Sequence, residues 1–242
     1  MDMLIADKIT KKMGTRTILH DVDLKINKGD FVCVLGANGA GKSTLLKILS
    51  LLMKPSSGKV FFHGIEATQY GAKIGGQIGV ISHNTFLYEQ LTAYENLQFY
   101  GRMYGLKHLE ERIFSVIREV GLEFALHERV QGYSRGMQQR LAIARALIHS
   151  PEILFLDEPH TGLDQKANEL FNQIMIQFNS SGGTIIMITH NIEEGLFLAN
   201  KAIVVSRGRI VYQGTTRDLS KEKVQKFYTE SGGGQNELPQ SN

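Results

Sequence analysis

Three short runs of apolar, β-prone residues stand out along the chain and predict buried strands. They are residues 31–35, 153–156 and 184–189. Continuous runs of this length suit strands that helices cover on both faces, as in a parallel sheet. Helical patterns follow each run, at about residues 42–52, 165–179 and 191–199. This alternation predicts an α/β fold with a mostly parallel core sheet and helices on both faces.

Two segments depart from that alternation. Residues 1–30 and 57–65 carry short strand patterns separated by turns such as Asn27-Lys28-Gly29, and they predict an antiparallel β subdomain near the N-terminus. Residues 88–149 are instead almost wholly helical in pattern. Thr92 and Glu95 form a capping box at the first of these helices, and Gly105 and Gly121 mark the ends of segments.

The helical block lies between two predicted core strands, so we interpret it as an inserted subdomain. The predicted organisation is a single domain over residues 1–230, with a core of about 1–84 and 150–230 and an inserted helical subdomain of about 85–149. Residues 231–242 are polar and rich in glycine, and they predict a flexible tail.

Composition narrows the class of partner. The net charge is only +3 and the basic residues are spread along the chain, which argues against a nucleic-acid partner. The single cysteine, Cys33, lies in an apolar run and predicts a reducing compartment. No apolar run approaches the roughly 18–20 residues that span a bilayer. The N-terminus does not have the pattern of a signal peptide. We therefore expect no direct membrane insertion.

The segment after the first core strand has the spacing of a phosphate-binding loop. It reads Gly36-Ala37-Asn38-Gly39-Ala40-Gly41-Lys42-Ser43-Thr44. Glycines let backbone N–H groups approach anionic oxygens, and the start of the following helix favours anions. Lys42 would place its charge on the β- and γ-phosphates, and Ser43 would offer a hydroxyl to Mg²⁺. The pattern predicts ATP hydrolysis, with ATP and Mg²⁺ as ligands.

Two acids follow the second core strand. Asp157 and Glu158 come directly after a run of four apolar residues. This position is at the sheet edge where ligands bind in α/β folds. Asp157 is predicted to hold Mg²⁺, mostly through water. Glu158, one residue further, is predicted to act as the general base on an attacking water.

The run from Tyr133 to Arg140, Tyr-Ser-Arg-Gly-Met-Gln-Gln-Arg, resembles the signature motif of ABC-transporter ATPases. Pro159 followed by Thr161-Gly162-Leu163-Asp164 is similar to the D-loop of that family, and His190 stands where the family has its switch histidine. The order of these motifs covers nearly the whole chain and identifies it as a member of the family.

The resemblance implies a head-to-tail homodimer around two ATP molecules. Ser134, Gly136 and Gln138 of one chain would complete the site of the other, and Asp164 would link the two sites. His190 would contact the γ-phosphate. The resemblance also implies an integral membrane permease subunit as partner and a place on the cytoplasmic face of the cell membrane.

Three segments depart from the family's usual pattern. Arg135 and Met137 alter the signature motif, and His83 stands where a metal-binding glutamine is usual, so His83 is our expected ligand there. Met13 stands where an aromatic residue stacks on adenine. The motif with these substitutions is similar to the ATPases of haem exporters in cytochrome c maturation and related export systems, which makes haem one expected cargo.

Aromatic residues are concentrated at the start of the helical block, six within nineteen positions. They are Phe86, Tyr88, Tyr94, Phe99, Tyr100 and Tyr104. Aromatics are enriched at interfaces, and in the family a helix of the membrane subunit docks here. The alternative is that they form the subdomain's own core.

The sequence bears on three rival functions. Asn27-Lys28-Gly29-Asp30 matches a guanine-reading pattern, but it precedes the phosphate loop, whereas in GTPases it follows. A non-transport ABC ATPase of DNA repair or translation would carry a coiled coil or a second ATPase domain. A purely regulatory nucleotide-binding subunit is the third, and the presence of both Glu158 and His190 favours turnover instead.

Overall fold

A computed structural model describes residues 2–82, 84–160 and 164–230. The strands in this part of the chain are β1 (Asp2–Met13), β2 (Arg16–Asn27), β3 (Phe31–Leu35), β4 (Ser57–Phe62), β5 (Ile65–Glu66), β6 (Ile78–Ile81), β7 (Ile153–Asp157), β8 (Thr184–Ile188), β9 (Lys201–Ser206) and β10 (Arg209–Thr215).

The α-helices are α1 (Lys42–Leu49), α2 (Ala67–Tyr70), α3 (Ala93–Met103), α4 (Leu109–Glu119), α5 (Arg135–Leu147), α6 (Gln165–Ser180), α7 (Ile192–Leu198) and α8 (Lys221–Glu230). Short 3₁₀ segments cover Gly71–Gln77, Glu123–Ala125, Val130–Gly132 and Thr216–Asp218. Within the described residues, no helix combines the length and the apolar character that crossing a membrane requires.

The strands form two sheets. A four-stranded antiparallel sheet has the order β2-β1-β4-β5, and a six-stranded sheet has the order β10-β9-β3-β8-β7-β6. In the larger sheet every pairing from β9 to β6 is parallel, and only β10 joins antiparallel to β9. The predicted fold class, a mostly parallel core sheet with an N-terminal antiparallel sheet, is confirmed.

The core strands are buried on both faces, as their continuous apolar runs predict. Every residue of β3, β7 and β8 is buried. Alternate side chains of β3 enter two different cores: Val32 and Val34 pack with the antiparallel sheet and α1, whereas Phe31 and Leu35 pack with the helical block. Successive side chains of a strand point to opposite faces, so one short strand joins both cores.

The helical block contains α3, α4 and α5 and contacts the parallel sheet through its edge strand. The capping box of Thr92 and Glu95 opens α3 as predicted. At the other end of the block, Arg145 Nη2 donates to Val80 O at 2.6 Å, and His149 Nε2 lies 3.0 Å from Ile78 O. Because β6 is the last strand of the sheet, its outer carbonyls need such partners. The predicted domain and subdomain bounds themselves stay predictions.

Candidate functional site

The phosphate loop fills the gap between β3 and α1, over residues 36–41. Two of its glycines are required by close contacts. A Cβ on Gly36 would lie 2.3 Å from Val205 O of β9, and one on Gly41 would lie 2.9 Å from Leu19 Cδ2. Gly41 also has φ +105°, a left-handed conformation that L side chains rarely adopt. The loop therefore sits tightly between β9 on one side and β2 on the other.

Lys42 folds back across this loop. Its Nζ donates to Gly36 O at 2.7 Å and to Ala37 O at 3.0 Å, and the residue is only 6% exposed. Burial lowers the pKa of Lys42, whereas the nearby carboxylates of Glu158 and Asp157 raise it. These hydrogen bonds join the start of the loop to the first residue of α1. The Lys42 ammonium group therefore lies against the backbone of the loop that the sequence predicts to bind phosphate.

Ser43 and Asp157, the two predicted Mg²⁺ ligands in the described residues, meet at the carboxyl edge of the sheet. Ser43 Oγ donates to Asp157 Oδ1 at 3.2 Å, across 114 positions of sequence. A hydroxyl and a carboxylate side by side are hard oxygen donors of the kind Mg²⁺ uses, with water and phosphate oxygens completing its shell. The donor set therefore fits the metal.

Glu158 and His190 are also in direct contact, as a histidine–carboxylate pair between His190 Nε2 and Glu158 Oε1. They follow adjacent parallel strands, β7 and β8, which explains why their side chains converge. Glu158 has φ +53°, and its N–H donates to Ile188 O at 3.1 Å. The side chain of Glu158 is 20% exposed and that of His190 is 50% exposed. Glu158 is thus partly shielded from solvent, whereas His190 beside it is accessible. This arrangement suits a role of Glu158 as the general base on a water molecule.

The signature segment lies at the start of α5. Ser134 caps this helix, its Oγ accepting the Met137 N–H at 3.3 Å. Ser134 is exposed, and apart from adjacent residues and the backbone of α5 itself no atom lies within 4 Å of a Cβ built on Gly136. Gln138 is in the first turn, where its N–H donates to Ser134 O at 2.9 Å. This end of α5 is an accessible surface.

One link between the signature helix and the acidic pair was not predicted. Gln139 Nε2 donates to Pro159 O at 3.1 Å, which ties α5 to the residue after Glu158. His160, the residue after Pro159, is largely buried, with Nδ1 3.3 Å from Asn168 Oδ1 and 3.5 Å from Glu194 Oε1. Burial lowers the pKa of His160, and Glu194 and Asn168 raise it. Gln139 belongs to the signature run, but neither its bond to Pro159 nor the burial of His160 follows from a local pattern.

Two further predicted site residues lie at the boundaries of elements. Asp164 caps α6, its Oδ1 accepting the Ala167 N–H at 2.8 Å. Met13 ends β1 and is half-exposed. His83 and the D-loop residues 161–163 lie outside the described residues, so the roles predicted for them stay predictions, as do those of Met13 and Asp164.

Comparison with known proteins identifies the family. The family model described as "ABC transporter" matches residues 19–161, more than half of the chain. The chain belongs to the ABC transporter family. As an ABC-type ATPase it binds and hydrolyses ATP, which confirms the activity expected from the phosphate loop.

Curated relatives of this ABC ATPase cover most of its length. The ABC transporter ATP-binding protein NatA of Bacillus subtilis (strain 168) is 39% identical over 83% of each chain. The linearmycin resistance ATP-binding protein LnrL of the same organism is 36% identical over 90% of this chain and 70% of its own. The lantibiotic transport ATP-binding protein SrtF of Streptococcus pyogenes is 37% identical over 87% of this chain and 90% of its own.

Solved structures share the fold of this ABC ATPase. The dimeric, post-hydrolysis structure of an ATP-binding cassette with ADP and Pi has a TM-score of 0.81 and 30% identity, over 89% of this chain and 99% of that one. An ATP-binding subunit of an ABC transporter has a TM-score of 0.86 and 27% identity, over 94% of this chain and 99% of that one.

Proposed function

We propose that this ABC ATPase works as a homodimer and energises export through a separate membrane permease, to which it binds on the inner face of the cell membrane. The observation that carries the catalytic part is the convergence of Lys42, Ser43, Asp157, Glu158 and His190 at one edge of the sheet. The direction of transport rests on relatives named for export or resistance, such as a Nod factor export protein and a daunorubicin resistance protein.

Each residue at that edge has a distinct chemical task. Lys42 and the loop N–H groups stabilise negative charge on the phosphates, a charge that the nearby carboxylates would otherwise repel. Ser43 and Asp157 would hold Mg²⁺, which would supply charge neutralisation for the bound phosphates. Glu158 orients the attacking water and takes its proton. His190 keeps the Glu158 carboxylate in place and offers its exposed ring to the γ-phosphate.

The second chain is needed because the signature surface faces outward. Ser134 and Gly136 are accessible at the start of α5, and a helix start with unpaired N–H groups attracts anions. We propose that they meet the γ-phosphate held by the partner chain, with Asp164 near the contact. The dimeric arrangement of a structural relative with ADP and Pi supports this composite site.

The permease would dock on the aromatic residues at the start of the helical block, which divide into two groups. Phe86, Tyr88 and Phe99 are largely exposed, whereas Tyr94, Tyr100 and Tyr104 pack against the helical core. Both interpretations of the aromatic cluster therefore have residues to support them. We propose that the exposed group contacts the permease and that the packed group holds it in place.

The transported cargo is a separate question from the ATPase chemistry. Haem stays a hypothesis from the signature sequence and the Ser82-His83 pair, because four of the relatives carry antibiotic, lantibiotic or Nod factor names rather than haem. Recovery of the protein from membranes with its permease bound, followed by analysis of the co-purified small molecules, would test for haem directly.

Replacement of Glu158 by Gln tests the catalytic assignment. The amide keeps the shape of the side chain but cannot accept the proton, so we expect ATP binding to persist and steady-state hydrolysis to fall by about 10²- to 10⁴-fold. ATP-loaded Glu158→Gln protein should also accumulate as a closed dimer in size-exclusion chromatography.

The matched control is Glu152→Gln, which changes a glutamate at the opposite end of β7 and should leave hydrolysis unchanged. Near-normal hydrolysis by Glu158→Gln would refute the assigned base. Wild-type protein that binds ATP but never hydrolyses it, alone or with its permease, would instead favour the regulatory alternative.

A further inference from the structure

The segments that leave strands β7 and β8 contact each other at two places. The first contact is between Glu158 and His190, which we call the catalytic pair. The second lies further along both segments, where His160 Nδ1 is 3.5 Å from Glu194 Oε1. His160 comes two positions after Glu158, and Glu194 comes four positions after His190. Because both contacts join the same two segments, the second contact bears on the geometry of the first.

The second contact is the better buried of the two. The side chains of His160 and Glu194 are both largely buried, whereas that of His190 is half-exposed. The His160 ring packs edge-on against Phe171 of α6, with 4.7 Å between the ring centroids, and Phe171 is almost completely buried. Glu194 lies in the first turn of α7, where its N–H donates to Asn191 Oδ1 at 3.2 Å. Polar contacts in such a sheltered place are stronger than contacts at the surface.

The neighbours of His160 determine which of its ring nitrogens carries the proton. Nδ1 faces Glu194 Oε1 and, at 3.3 Å, Asn168 Oδ1, and both of these oxygens accept hydrogen bonds. Nδ1 is therefore the donor. Asn172 Nδ2 donates to the same Glu194 oxygen at 3.3 Å, so this oxygen joins α6, α7 and the segment after β7.

Glu158 has a backbone conformation that its surroundings must maintain. Its φ of +53° is left-handed, which a residue with a side chain adopts only where the structure around it holds it there. Before the turn, the Glu158 N–H donates to Ile188 O at 3.1 Å. After the turn, Pro159 O accepts from Gln139 Nε2 at 3.1 Å, and His160 contacts Glu194. The His160 contact is thus one of the anchors on the far side of the turn.

We propose that His160 is a positioning residue of the catalytic pair. Its Nδ1–H, shared between Glu194 and Asn168, fixes the segment after Glu158 against the start of α7, and Glu158 is thereby kept beside His190. This inference rests on the proposed role of Glu158 as the general base. Loss of the donor removes no contact of the phosphate loop, but it lets the Glu158 carboxylate leave the place from which it orients water. Small displacements of a catalytic group lower the rate strongly.

The test compares two replacements of His160 in the full-length chain. His160→Asn keeps an N–H donor close to the place of Nδ1, whereas His160→Leu has similar bulk and no donor. Glu193→Met is the matched control, because Glu193 is the neighbouring glutamate of α7 but is exposed and pairs with Lys221. Steady-state kcat and KM are measured for each variant, and Tm is recorded. The dissociation constant of ATP·Mg²⁺ is measured by calorimetric titration in a Glu158→Gln background, which prevents turnover.

For His160→Leu we expect kcat to fall about 10- to 100-fold, with KM and the ATP dissociation constant within about twofold of wild type. His160→Asn should keep kcat within about threefold of wild type, although its smaller side chain leaves a gap beside Phe171 and lowers Tm. Glu193→Met should match wild type. Equal falls in kcat for His160→Asn and His160→Leu would assign the effect to packing and overturn the proposal, as would wild-type kcat in His160→Leu or an equal fall in Glu193→Met.

The partner residue provides a second test that does not require His160→Leu to fold. Glu194→Met should lower kcat as His160→Leu does, while Glu193→Met does not. A variant with both His160→Leu and Glu194→Met should be about as slow as either single variant, because the two side chains act as a unit. Wild-type kcat in Glu194→Met, or losses that multiply in the double variant, would contradict the proposed role.

The Glu158→Gln variant separates this inference from the function on which it rests. If Glu158→Gln loses hydrolysis and His160→Leu keeps it, only the role of His160 fails. If Glu158→Gln hydrolyses ATP at a near-normal rate, the assigned base is wrong and the role of His160 is overturned with it.

Discussion

One buried arginine joins the helical block to the parallel sheet, and its replacement gives a sharp test of the architecture. Arg145 is 8% exposed, and its Nη2 donates to Val80 O at 2.6 Å on edge strand β6. Its guanidinium carbon lies 5.4 Å from the ring centroids of both Phe86 and Tyr100. We predict that Arg145→Met, which keeps an unbranched apolar stem, destabilises the protein while leaving the fold intact.

The magnitude follows from these contacts. Loss of the hydrogen bond leaves the part-buried Val80 O without this donor, at a cost of about 1–3 kcal/mol. The two ring contacts add about 0.5–1 kcal/mol each, the value for partly exposed cation–π pairs. Burial lowers the pKa of Arg145, so removing the buried charge returns part of this energy. The expected net loss in the free energy of unfolding is about 2–3 kcal/mol.

Urea unfolding followed by circular dichroism measures the change. Arg118→Met is the control, because Arg118 is an exposed arginine in the last turn of α4 and should cost about 0.3–1 kcal/mol through the helix dipole alone. If Arg145→Met is no less stable than Arg118→Met, the arginine does not hold the block to the sheet and the reasoning is refuted.

Two further predictions concern the same region. His149 is buried with its pKa lowered from 6.5 to about 4, chiefly by burial, so the unfolded chain binds more protons than the folded one between those pH values. Its contribution to stability is therefore intact above pH 6.5 and falls by up to about 3 kcal/mol as pH drops to 4; equal pH dependence of urea unfolding in wild type and His149→Gln would contradict this. Tyr88→Ala should reduce permease-stimulated hydrolysis and transport while basal hydrolysis and Tm stay near wild type, because Tyr88 is 48% exposed. Phe124→Ala, at another exposed aromatic of the block, is the matched control, and a fall in Tm confined to Tyr88→Ala would favour a core role instead.

The parts of the fold that sequence predicted well are those whose cause is local. A strand covered on both faces must be apolar at every position, so β3, β7 and β8 are visible as runs. The N-terminal strands were predicted to be short, yet β1 and β2 are each 12 residues long. Their alternation is broken by register shifts and by left-handed residues such as Lys8 and Asp21, and an interrupted alternation resembles several short strands.

In the candidate site too, some residues could be predicted from local sequence and others could not. Lys42, Ser43, Asp157 and Glu158 follow the ends of buried strands, and parallel strands bring such ends to one edge, so their proximity was predictable. Arg145 on Val80 and Tyr228 beside the loop join parts of the chain 65 and about 190 positions apart. Such contacts depend on how whole elements pack, and a side chain that makes one has no neighbouring residues to mark it.

The signature serine illustrates why a local interpretation and a functional one need not compete. Ser134 read in isolation is an ordinary helix cap, and in the structure it is one, because its Oγ accepts the Met137 N–H. A hydroxyl, however, has one proton to donate as well as two lone pairs, and capping uses only a lone pair. The proton remains for an anion that approaches the exposed start of α5. Capping therefore holds the serine in the orientation from which it could donate to the phosphate of a second chain, and the ordinary role prepares the proposed one.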